Sequence, residues 1–334
     1  MQSGISPDIL VCRTEHHIGD DIKRKLALFC NVDKESIIES IDADTIYDVP
    51  NLMLDEGLHE VVLNKLDLKA SKKPVLTRWN QFLNNYKHPE GTVEIGLVGK
   101  YIELQDAYKS ILEALDHAGA HNKLKVNIHS IHSEDITEQN AAEKLKGLQG
   151  LVVAPGFGDR GIESKITAVQ YVRENNIPFL GICLGMQMAV IEYARNVLKL
   201  KNANSTEMSR NTPHPVIDIM EDQKMVTEKG GTMRLGAWDC KLKKDSKVFN
   251  IYGKELISER HRHRYEFNND YLEKLSESGL ISTGLNPKTG LVEIVEIPDH
   301  KWFIGVQYHP EYKSTVLDPH PLFAAFVSAC SNNS

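Results

Sequence analysis

The sequence has no Cys-x-x-Cys pair, no apolar run near membrane-spanning length, no strong excess of either charge and no glycine-rich loop with Gly-x-x-x-x-Gly-Lys-[Ser/Thr] spacing. Each absence removes a class of protein. Its five cysteines, Cys12, Cys30, Cys183, Cys240 and Cys330, are odd in number and widely spaced, which argues against a disulfide framework or a zinc site and fits a reduced compartment. A bilayer span needs about 20 apolar residues, and Met1 to Leu10 lacks the charged-then-apolar layout of a secretion signal, so the expected location is the cytoplasm. A formal charge of -7 over 334 residues leaves no electrostatic footprint for nucleic acid.

What remains is a composition of 41% hydrophobic and 25% charged residues, that of a soluble globular chain long enough for two unequal domains. Asp8 to Cys12 reads as a buried strand. Asp20 to Cys30 reads as an amphipathic helix with Ile22, Leu26 and Phe29 on one face. A lone strand and helix cannot cover both faces of a parallel sheet, so an upstream part is expected to be missing. Ser71-Lys-Lys-Pro, a short helical stretch around Trp79 and His88-Pro-Glu-Gly read as a linker. The expected division is residues 1–70, a linker at 71–90, and a second domain at 91–334.

In that second domain, Val93 to Val98, Lys125 to Ser130, Leu148 to Ala154 and Pro178 to Ile182 are short β-branched runs. Helical patterns at Ala107 to His117, Ile162 to Arg173 and Met186 to Val197 alternate with them, which predicts an α/β fold with a parallel sheet covered on both faces. After Gly230 come short strands, at Gly231 to Trp238, Leu256 to Phe267, Leu291 to Ile297 and Trp302 to Gln307, and then a last helix from Pro321 to Ser328.

Gly181-Ile-Cys183-Leu-Gly185 joins a strand to a helix in the layout of a nucleophile elbow with cysteine in place of serine. Glycine two residues to either side permits close backbone approach. The helix N-terminus favours a thiolate and can hold a developing oxyanion. Most free cysteines are small buried hydrophobes, and the pentapeptide alone does not decide between the readings. His309-Pro-Glu311, just past another predicted strand, supplies a base and a group to orient it. Pro155-Gly156-Phe-Gly158 ends a third strand. All three loops would meet at the carboxyl edge of one sheet, with the N–H groups of Gly156 and Leu184 as a two-donor oxyanion hole. The run His261-Arg-His-Arg264 admits a metal-site reading, against the commoner one of a strand of solvated charges and ion pairs.

These residues resemble the CTP synthase family. The resemblance rests on Gly181-Ile-Cys-Leu-Gly-Met-Gln187, Asn202-Ala-Asn-Ser-Thr-Glu207, Gly230-Gly-Thr-Met-Arg-Leu-Gly236, Glu259-Arg-His-Arg-His-Arg-Tyr-Glu266 and Gln307-Tyr-His-Pro-Glu311. Gly99 to Lys109 is similar to the segment opening that family's glutaminase half. Pro7 to Arg13 and Ala27 to Val32 look like the end of its synthetase domain. The resemblance implies a class I glutamine amidotransferase fold, flavodoxin-like with a mostly parallel sheet, preceded by a fragment of a P-loop-like α/β synthetase domain. It implies a Cys183, His309, Glu311 triad, and glutamine contacts from Gly156, Leu184, Gly185, Met186, Gln187, Glu207 and Arg264. Of these, Glu207 suits the α-amino group and Arg264 the α-carboxylate. It assigns Lys25 to UTP or CTP and Ile41, Asp42 and Ala43 to the ATP adenine.

Two departures stand out. Ala154-Pro155-Gly156 replaces the family's usual Pro-Gly-Gly, so Pro155 removes one N–H and leaves Gly156 to serve. The family's acidic Mg²⁺ ligands and phosphate loop do not occur in these residues, so ATP-dependent amination of UTP is expected to need upstream residues. No cofactor or metal is expected in the glutaminase domain itself. Glutamine is the expected substrate, with UTP, ATP, Mg²⁺, GTP as activator and a homotetramer implied for the full-length enzyme. Two alternatives stay open: another class I amidotransferase, and a truncated non-catalytic partner.

Overall fold

A computed structural model describes residues 4–69, 72, 74–104, 106–219 and 233–331. Ala70, Ser71, Lys73, Gln105 and the start of the expected strand at 231, with residues 230–232 of its motif, lie outside them. The chain divides into two compact units, residues 1–84 and 85–334.

In the first unit, β1 (Leu10–Thr14) and β2 (Ile37–Ile41) pair in parallel, joined through α1 (Asp20–Cys30). Helices α2 (Val49–Asp55), α3 (Leu58–Lys65) and α4 (Thr77–Lys87) follow. The helix expected over Asp20 to Cys30 forms, but none of its residues is buried, and Ile22 and Phe29 are 53% and 78% exposed. The stretch read as a linker holds α4. Its Trp79 is anchored in the first unit, donating Nε1–H to the Tyr47 carbonyl at 2.8 Å beside the Tyr47 and Phe82 rings.

The second unit opens with β3 (Gly91–Gly99), α5 (Lys109–His121), β4 (Leu124–His132), the short α6 (Ala141–Lys144) and β5 (Gly150–Val153). It continues with α7 (Ile162–Glu174), β6 (Phe179–Ile182), α8 (Leu184–Asn196), β7 (Asn204–Ser205) and β8 (Pro215–Ile219). Then come β9 (Arg234–Leu242), α9 (Lys247–Tyr252), β10 (Leu256–His263), β11 (Tyr265–Phe267) and α10 (Leu272–Glu277). The unit closes with β12 (Ile281–Leu285), β13 (Val292–Glu296), β14 (Phe303–Val306) and α11 (Pro321–Ser331).

Nine strands form one sheet in the order β10-β9-β12-β13-β14-β6-β5-β3-β4. The run from β14 to β4 is parallel and the rest antiparallel. Every residue of β5, β6 and β14 is buried, because helices cover both faces and leave no solvated side for alternation to mark. Alternation instead distributes side chains between two cores. Leu151, Val153, Phe179 and Phe303 pack with α7 and α8, whereas Val152, Leu180, Ile304 and Val306 pack with α5 and α11.

The run Leu256 to Phe267, expected as one strand, breaks at Arg264. β10 stays in the large sheet, while β11 joins β8 and β7 in a three-stranded one. The change of sheet forces the break, and Arg264 stands at it. The composition of β7, β8, β12, α9 and α10 did not announce them in the sequence.

Candidate active site

The parallel register Val306↔Ile182 sets the ends of β14 and β6 side by side, and the Cys183 N–H donates to the Val306 carbonyl at 2.7 Å. Cys183 is buried, at the N-terminus of α8, with φ 53° and ψ -101°. A side chain in that region is strained and persists only where the surroundings over-determine it. They do so here. A Cβ at Gly181 would come within 2.7 Å of the Gly185 carbonyl carbon, and one at Gly185 within 2.2 Å of the Val153 oxygen. The elbow is therefore pressed against the sheet at two points where only glycine fits.

Past β14, the His309 N–H donates to the Arg260 carbonyl at 2.8 Å, and His309 Nδ1 bonds Glu311 Oε1 at 2.7 Å. Both side chains are buried, and the imidazole stacks on Tyr312 with centroids 5.1 Å apart. The carboxylate fixes the proton on Nδ1. Nε2, which makes no hydrogen bond, is left for the cysteine proton. Burial alone would push this imidazole down, but the Cys183 sulfur and the Glu311 carboxylate outweigh it and hold His309 well above its ordinary value.

A pocket opens beside the sulfur, lined by Gly156, Leu184, Gln187, Glu207 and Arg264 among the expected residues. Gly156 lies close to Leu184: a Cβ on it would sit 3.5 Å from Leu184 Cδ2 and 3.7 Å from Lys165 Nζ. Glu207 accepts the Gly158 N–H at 3.1 Å. Burial raises its carboxyl, with that N–H and Arg264 opposing. Two expected glutamine contacts do not line the pocket. Gly185 faces Val153, and Met186 is packed against Gly305, because helix α8 turns those positions to the sheet.

Phe157, Met233, His263 and Tyr265 also line the pocket and were not read from the sequence. The solvated-strand reading of the His261-Arg-His-Arg264 run is corrected. β10 alternates, so Glu259, His261 and His263 are buried while Arg260 and Arg262 are exposed. His261 Nδ1 and His263 Nε2 bond each other at 2.8 Å. Burial, then Arg234 and His309, pushes His263 down to about 3. Arg234 bridges Glu266 at 3.3 Å and Glu293 at 2.5 Å in the same interior. Among the described residues no group of three or more His, Cys, Asp or Glu stands together as a metal site.

Lys25 is exposed on α1, and Ile41 to Ala43 leave β2 beside Thr14, whose carbonyl accepts the Asp42 N–H at 3.0 Å. The Asp42 carboxylate meets Arg13 Nε at 3.0 Å.

This sheet, with a cysteine elbow at its carboxyl edge and a His-Glu pair just past the end of the neighbouring strand, defines a class I glutamine amidotransferase, and the family model "Glutamine amidotransferase class-I" matches residues 103–329. The model "CTP synthase N-terminus" matches residues 1–68. Curated CTP synthases of Christiangramia forsetii and Bacteroides fragilis are 65% and 56% identical, over 100% and 98% of the chain. The chain spans 61% of the length of each. The glutaminase domain of Trypanosoma brucei CTPS, solved with bound acivicin, is 38% identical and superposes with a TM-score of 0.67. It covers 72% of this chain and 95% of its own. The chain belongs to the CTP synthase family. No helix among the described residues is long and apolar enough to cross a membrane.

Proposed function

We propose that residues 91–334 hydrolyse glutamine, and that in the whole protein the ammonia aminates UTP to CTP at the expense of ATP. The observation that carries this is the strained, buried Cys183 held beside the 2.7 Å His309–Glu311 pair, with a pocket offering one carboxylate and one guanidinium. Glutamine enters with its α-amino group at Glu207 and its α-carboxylate at Arg264. The Cys183 proton passes to His309 Nε2, and the thiolate attacks the side-chain amide carbon. The oxygen takes up the C=O electron pair between the N–H groups of Gly156 and Leu184. As the C–N bond breaks, His309 returns the proton to the leaving nitrogen and ammonia departs, leaving a γ-glutamyl thioester. Water, deprotonated by His309, releases glutamate and restores the thiol.

In the whole protein, Lys25 is assigned to the uridine or cytidine nucleotide, and Ile41, Asp42 and Ala43 to the adenine of ATP. Mg²⁺ accompanies ATP there. The described residues show no ligand cluster that fits the ion, and no step here runs through it. GTP activation and a homotetramer belong to the same proposal, as does a cytoplasmic location.

Ammonia release from glutamine by the purified chain, with and without GTP and with Cys183→Ala as control, tests the glutaminase reading. Release that disappears in Cys183→Ala supports it. Absence of release from the unmodified chain in both conditions counts against it and favours a non-catalytic partner.

A further inference from the structure

Gln307 is a buried residue next to the nucleophile to which the mechanism above gives no task. The register of β14 with β6 ends at Val306↔Ile182, and Gln307 and Cys183 are the next residue on each chain segment. Its side chain is fully buried, and its Nε2–H donates to Cys183 Sγ at 3.7 Å. The direction of this amide is fixed by its neighbour. Gln187 Nε2 donates to the Tyr265 carbonyl at 3.1 Å and to Gln307 Oε1 at 3.2 Å. With its oxygen occupied by that donor, Gln307 can present only N–H to the sulfur. An N–H aimed at a buried sulfur favours the charged form over the neutral one, since burial removes the water that would otherwise solvate it.

We propose that Gln307 is a further catalytic residue, whose amide N–H holds the Cys183 thiolate while Gln187 fixes that amide's orientation. The inference rests on the reading of Cys183 as nucleophile. His309 receives the proton, and Gln307 remains as the neutral donor that stays on the sulfur until the C–S bond forms. Because Gln187 also lines the pocket, substrate binding and sulfur orientation share one hydrogen-bonded chain, from Tyr265 through Gln187 and Gln307 to Cys183.

The test is the rate of alkylation of Cys183 by iodoacetamide in the 334-residue chain, read by peptide mass spectrometry at pH 7 and pH 9.5. It compares the unmodified chain with Gln307→Leu, Gln307→Met and Gln187→Leu. The proposal expects each variant to react about tenfold more slowly at pH 7 and to recover most of the deficit at pH 9.5, the size of one charge-assisted hydrogen bond. The buried Cys240 and Cys330 should stay unlabelled in all. Equal rates at pH 7 would overturn it. So would labelling of Cys240 and Cys330 in both Gln307 variants, which would make Gln307 a packing residue. Ammonia release measured on the same samples separates the two readings. A pH-dependent deficit without turnover in the unmodified chain sinks the glutaminase proposal alone, and Cys183-dependent turnover with unchanged alkylation sinks this one alone.

Discussion

In the parallel half of the large sheet, β5, β6 and β14 bury only apolar residues and glycine, and the reacting groups sit past their ends. The antiparallel half is built otherwise: β9, β10 and β13 carry Arg234, Glu259, His261, His263, Glu293 and Glu296 into the interior. The first half makes its chemistry by backbone geometry, through the strained elbow and two glycine contacts. The second supplies a wall of buried ionisable side chains, and His263 of that wall also lines the pocket. A parallel sheet covered by helices can thus concentrate function at its edge, while the antiparallel extension brings ionisable groups inside by hydrogen-bonding them to one another and to backbone N–H groups.

The sharpest way to separate the halves is His309→Asn. It is expected to lower ammonia release at least about a thousandfold with little change in unfolding, checked by turnover and urea denaturation. Arg234→Met should do the reverse in kind. Leaving the buried Glu293 and Glu266 side chains without their Arg234 partner is expected to cost about 3–5 kcal/mol in urea unfolding, and an unchanged midpoint would show that this buried cluster does not stabilise the fold.

Gly185→Ala probes the geometric half. Its methyl meets the Val153 carbonyl, so a loss of about 1–3 kcal/mol together with lower turnover is expected. A last probe lies in pH. Burial, opposed by Arg234 and reinforced by Glu293, raises Glu266 to about 8 from 4.5. The folded chain thus keeps a proton that the unfolded chain releases. This contribution is complete below about pH 4.5 and is lost as pH rises towards 8. Glu266→Gln should flatten the corresponding slope of stability against pH, and an unaltered slope would remove Glu266 from the account.

The parallel half was legible in the sequence because its strands are short β-branched runs alternating with helical periods. Cys183, His309 and Glu311 could be read because their residue types are reactive and they follow predicted strands. The rest was hidden for physical reasons. In Glu259 to Arg264, charge at every position masks a two-residue alternation that places the histidines inside. The break of β10 from β11 at Arg264 depends on which sheet each segment joins, which no local pattern carries. Gln307 neither titrates nor attacks, so nothing in its chemistry marked it, although its place two residues before His309 at a strand end was a usable signal. Gly185 and Met186 came with the motif around Cys183, where resemblance does not say which way a helix turns each position.

The pairing of β6 with β14 also has a temporal meaning. Cys183 and Gln307 lie 124 positions apart, and they meet only when those two strands align. Contacts of such long separation form slowly, after local helices and hairpins. Recovery of ammonia release during refolding would then time the closing of one strand pair, and activity would lag behind the return of helical signal as a clock for the last step of sheet assembly.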